Sequence, residues 1–145
     1  MAKGSGGTRG SNMASGNTSK SPIIGGGSGS LKGNSFDNMK LSDFEGDAFV
    51  NGAYYSISTK DGKYLMTIDM ENGYNENRGA DGTTITISMQ NMQSSNSTEI
   101  IYNGFAIDNP QYKTPNSYVK SASESLERTL PYIKELAGKY IKRNN

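Results

Sequence analysis

Two runs of alternating side chains flank an Asp-Gly pair between residues 53 and 70, and this arrangement leaves few folds open. Ala53-Tyr54-Tyr55-Ser56-Ile57-Ser58-Thr59 and Tyr64-Leu65-Met66-Thr67-Ile68-Asp69-Met70 are rich in strand-forming residues. Asp61-Gly62 between them suits a two-residue type I′ turn, in which both central residues take positive φ. Such a turn sets Lys60 opposite Lys63. It then pairs Thr59 with Tyr64, Ile57 with Met66, Tyr55 with Ile68 and Ala53 with Met70. Those pairs share one mostly apolar face. The other face pairs Ser58 with Leu65, Ser56 with Thr67 and Tyr54 with Asp69. A slip of one residue would move every apolar side chain to the polar side, so turn and pattern specify one register.

The rest of the chain supplies more strands and a cover. Thr83–Met89 alternates Ile85, Ile87 and Met89 with threonine and serine. Thr98–Ile107 reads as a fourth strand with Ile101, Phe105 and Ile107 inward and a bulge or close approach at Gly104. Polar loops are expected over 71–82 and 91–97. After Pro110 and Pro115 the apolar period changes to three and four. Tyr118, Ala122, Leu126, Leu130, Ile133, Ala137, Tyr140 and Ile141 form the stripe of an amphipathic helix, with Pro131 expected to kink or split it. Upstream, Ser42-Asp43-Phe44-Glu45 has the form of a capping box and predicts a short helix or folded entry loop. An apolar sheet face needs covering, and this helix has the matching stripe. The expected fold is α+β: a four-stranded, mainly antiparallel β-meander covered by a C-terminal amphipathic helix.

Residues 1–34 hold ten of the eighteen glycines and seven serines. Such a stretch has too little apolar surface to offset the entropy of ordering it, which predicts a disordered tail at 1–34 and a single small domain at 35–145. Charge is uneven along the chain. The tail carries +4, residues 35–116 carry −6, and residues 117–145 carry +3, for a total of +1. There is no histidine and no cysteine. That excludes histidine bases, serine–histidine triads, cysteine nucleophiles, disulfides and thiolate or imidazole metal sites. Neither common nucleotide fingerprint occurs, and Gly25-Gly26-Gly27 has no strand before it, so it reads as linker. No cofactor is expected. No apolar run approaches the ~18 residues of a spanning helix, and no secretory leader opens the chain. The expected location is cytoplasmic, without membrane contact.

Carboxylates remain as candidate reactive groups. Asp69, Glu71, Glu76 and Asp81 gather around one predicted loop and are the candidate ligands for a hard cation. Nine tyrosines without tryptophan suggest interface aromatics. Tyr54, Tyr74, Tyr102 and Tyr112 are the candidate binding rings. Lys139, Lys142 and Arg143 are the candidate basic contacts.

The opening Met1-Ala2-Lys3-Gly4-Ser5-Gly6-Gly7-Thr8-Arg9 resembles the N-termini of uncharacterised proteins of bacteriophages and prophage-like elements of gut bacteria. The resemblance implies a mobile-element context and no activity. The expectation is a non-enzymatic binding or assembly module with a protein partner. The alternative is a nucleic-acid-binding accessory protein that uses the basic tail and the C-terminal helix.

Overall fold

The computed structural model describes residues 23–94, 98–107 and 115–144. Five strands form one antiparallel sheet in the order β1 (Glu45–Ala48), β2 (Gly52–Ser58), β3 (Tyr64–Asn75), β4 (Ala80–Asn91) and β5 (Thr98–Ile107), and one helix, α1 (Pro115–Arg143), covers it. The architecture is α+β, with one more strand than the sequence pattern predicts.

The central hairpin has the inferred register: Ala53 faces Met70, Tyr55 faces Ile68 and Ile57 faces Met66. Its turn is different. Gly62 N–H donates to Thr59 O at 2.9 Å, and Gly62 has φ 72°. Lys60 and Asp61 are therefore the central residues of the tight turn, with left-handed Gly62 following it. Asp61 organises this loop. Its Oδ1 accepts from Thr59 Oγ1 at 2.7 Å and from Lys63 N–H at 3.0 Å. Both turn designs leave the same pairs opposite, which is why the register survives the change.

The expected loop at 71–82 is mostly strand. β3 and β4 pair as far as Asn75 opposite Ala80, and a four-residue turn closes on Gly79, whose φ is 65°. Backbone pairing set by Met70 opposite Ile85 continues through polar residues, because the ladder does not depend on their side chains.

β5 departs from simple alternation. Ile87 pairs with Tyr102 and Ser88 with Ile100, so Ile101 is the extra residue of a bulge. Beyond it Tyr102 and Ala106 lie on the helix side, while Phe105 and Ile107 turn outward. The expectation that Phe105 and Ile107 point inward is thereby corrected. Gly104 is a normal ladder residue opposite Ile85, and a Cβ there would lie 2.6 Å from Tyr102 Oη.

The stretch read as a capping box does form a short 3-10 helix, as the expected short helix or folded entry loop allows, but Lys40 rather than Ser42 is its N-cap. It spans Leu41–Asp43 and is closed by Lys40 N–H donating to Asp43 Oδ2 at 2.9 Å. Glu45 then enters β1. Gly46 lets this short strand approach, since a Cβ there would collide with the Tyr54 carbonyl.

Folded structure also starts earlier than residue 35. Of the predicted tail, residues 1–22 lie outside the described residues, but 23–34 are built into the domain. Ile24 and Leu31 are buried. Leu31 N–H donates to Ser58 O at 2.8 Å and Ser58 N–H to Gly29 O at 2.9 Å, so this segment pairs with β2 where β1 stops. The glycines permit close approach rather than flexibility. Gly25 has φ 94°, and a Cβ on it would sit 2.7 Å from the Tyr55 ring.

Helix α1 buries Tyr118, Ala122, Leu126, Leu130, Ile133, Ala137 and Tyr140, together with Val119 and Ser123. They pack on Tyr55, Ile57, Met66, Ile68, Ile85, Ile87 and Met89, and form one core. Pro131 does not split the helix. It faces solvent, as does Glu127, whose carbonyl loses its helical donor and can bond water instead. Both ends are pinned. The Tyr118 hydroxyl donates to Phe49 O at 2.8 Å and also contacts Gly52 O. At the other end Asn144 O accepts from Tyr64 Oη at 3.3 Å and Asn91 Nδ2 at 3.1 Å.

Candidate functional site: the uncovered face of the sheet

Alternation along each strand gives the sheet a second face, opposite α1, and no described element lies over it. One cross-strand row on it runs Asp47, Tyr54, Asp69, Thr86, Asn103. A second runs Glu45, Ser56, Thr67, Ser88, Ile100, and a third ends in Glu71, Thr84 and Phe105. Small hydroxyl side chains fill the centre, and Asn103 Nδ2 donates to Thr86 Oγ1 at 3.1 Å. Large apolar groups stand out of this polar field. Tyr54 is 49% exposed, Ile100 62% and Ile107 69%, with Phe105 and Leu65 half-buried beside them. The Arg78 guanidinium lies 5.8 Å from the Phe105 ring centroid at the rim.

The charge of the face is one-sided. Its strand positions carry four exposed carboxylates, Glu45, Asp47, Asp69 and Glu71, and no base; Arg78 and Lys60 stand in the turns at its two ends. These acids are open to water.

The candidate cation ligands do not converge. Asp69 and Glu71 lie on the uncovered face, Glu76 is in the β3–β4 turn, and Asp81, opposite Tyr74, has the parity of the other face. Among the described residues no three Asp, Glu, His or Cys side chains are grouped to hold a metal ion.

The candidate binding residues are dispersed as well. Tyr54 belongs to the open face. Tyr74 is exposed near the β3–β4 tip, Tyr102 packs half-buried against the core, and Tyr112 lies outside the described residues. Lys139, Lys142 and Arg143 are on α1, across the sheet from Tyr54. Lys139 pairs with Glu135 at 3.4 Å and Arg143 with Glu99 at 2.5 Å, so two of these three bases already have acidic partners. Tyr118, on the helix stripe, is a buried anchor, and burial pushes the pKa of its hydroxyl up to about 12. The sequence reading missed Ile100, Phe105 and Ile107 as surface residues. The adjacent pair Ile100-Ile101 was the available hint, because two neighbouring strand residues cannot both face a core without a bulge.

No family model, curated protein or solved structure matches the chain. No helix among the described residues is long and apolar enough to cross a membrane.

Proposed function

We propose that this chain is a non-enzymatic binding or assembly module that holds a protein partner on the uncovered face of its sheet. The observation that carries the reading is the exposure of Tyr54, Ile100 and Ile107 on a face with no described cover. Exposed apolar residues rimmed by polar ones are the composition of protein interfaces. The absence of histidine and cysteine, together with acids that stay in water, supports binding over catalysis. The mobile-element context implied by the N-terminal resemblance suits an assembly role.

A photoreactive residue at Asn103, on the open face, tests this against one at Arg128, on the solvent side of α1. The expected result is a protein adduct in the producing cell from position 103 that Tyr54→Ala weakens. No adduct from position 103 would remove the proposal. The alternative, a nucleic-acid accessory, draws on the bases of α1. It predicts instead a nucleic-acid adduct at Arg128 and binding that falls steeply with salt.

A further inference from the structure

We propose that the occupant of the open face is a second copy of this chain, which presents the solvent side of its α1 in a head-to-tail contact. The inference rests on the open-face reading above and names its partner. Charge complementarity is the main argument. The strand positions of the open face carry four carboxylates and no base. The solvent side of α1 carries Lys120, Arg128, Lys134, Lys139 and Lys142 against Glu124, Glu127 and Glu135, with Lys139 paired to Glu135 and Arg143 reaching back to Glu99. These surfaces lie on opposite sides of the molecule. Face-to-face pairing would oppose the two acidic sheets, and back-to-back pairing would oppose the two basic helices; both are penalised by like charge. Only sheet against helix joins unlike surfaces.

Shape and apolar content agree with this pairing. The fold already shows a helix lying on one face of this sheet, and a helix from another copy would add the same kind of layer to the other. The outer side of α1 also offers an apolar anchor, Tyr132, which is 54% exposed next to solvent-facing Pro131. Because the two patches differ, the contact is heterologous. It either closes into a ring or propagates as a string of copies.

Sedimentation velocity of the full chain tests the proposal through two charge-reversed proteins. One carries Asp47→Lys with Asp69→Lys and loses its sheet patch. The other carries Arg128→Glu with Lys134→Glu and loses its helix patch. All four positions are exposed or half-exposed, and circular dichroism checks that both proteins fold. The wild type is expected to assemble with rising concentration at low salt and to dissociate as ionic strength rises from about 0.01 M to about 1 M, where the Debye length falls from about 30 Å to about 3 Å. Each variant alone should be monomeric. Their equimolar mixture should associate again, because the intact helix patch of one meets the intact sheet patch of the other and the two reversed patches are also opposite in charge. A wild type that stays monomeric at every concentration, or a mixture that does not associate, overturns the inference. If the wild type is monomeric while the Asn103 probe still captures a different protein, the second-copy assignment fails and the binding-face reading stands. If neither is seen, both fail.

Discussion

Tyr118 shows how one side chain ties the first turn of α1 to the β1–β2 loop. Its hydroxyl serves the Phe49 and Gly52 carbonyls from inside the core. Tyr118→Phe keeps the ring and removes the hydroxyl donor from the Phe49 carbonyl, while Gly52 O keeps the Phe49 N–H; the loss should cost ~1–3 kcal/mol in denaturant unfolding. The same burial sets a pH dependence. Tyr118 is raised from an ordinary value of 10.0 to about 12, and Tyr55 is raised as well, mainly by burial. The folded state therefore holds these protons more tightly than the unfolded chain. Their contribution is complete below about pH 10 and falls away as pH rises toward 12. The unfolding midpoint should drop across that window, and less steeply in Tyr118→Phe; equal slopes would contradict the assignment. Glycines act at this scale too. Gly62 has φ 72° with open space around it, so Gly62→Val tests backbone strain alone, expected at ~1–2 kcal/mol. Gly25→Ala adds a collision with Tyr55 to its own positive φ and should cost more.

At the scale of elements, α1 and the sheet face beneath it are one core. Leu126→Ala and Ile133→Ala each remove buried side chains and should cost ~2–5 kcal/mol, measured by chemical denaturation. Ending the chain before Pro115 should abolish cooperative unfolding. A truncated sheet that still melts cooperatively would mean that the helix is detachable. The contrast between legible and hidden elements has a physical basis. The β2–β3 register was readable because a period of two and a tight turn constrain the same pairs. The α1 stripe was readable because buried positions recur through most of its 29 residues. β1 was hidden because Glu45-Gly46-Asp47-Ala48 has no apolar alternation; it exists by pairing with β2. Residues 23–34 were hidden because composition equates glycine with flexibility, whereas here glycine allows contact with Tyr55 and the β2 end. The bulge at Ile101 then reversed the sides of β5, so Tyr54 was readable as a surface ring while Phe105 and Ile107 were not.

At the scale of the molecule, one sheet has two faces with different duties. The face under α1 is sealed by aliphatic and aromatic side chains. The opposite face is acidic, rich in hydroxyls and studded with exposed apolar groups, and the back of α1 is basic. The binding role proposed above draws on that polarity. It also bears on stability: side chains exposed on the open face contribute little to the fold of the isolated chain. The thermal unfolding of a Tyr54→Ser, Ile100→Ser double variant, set beside the wild type, tests this division most directly. In about 1 M salt, where the copies proposed to pair through this face are separated, the account predicts an unchanged melting curve, since exposed substitutions fall within about 0.5 kcal/mol. A loss of about 2 kcal/mol or more, in the range of a buried side chain, would show that this face belongs to the core and would contradict the account.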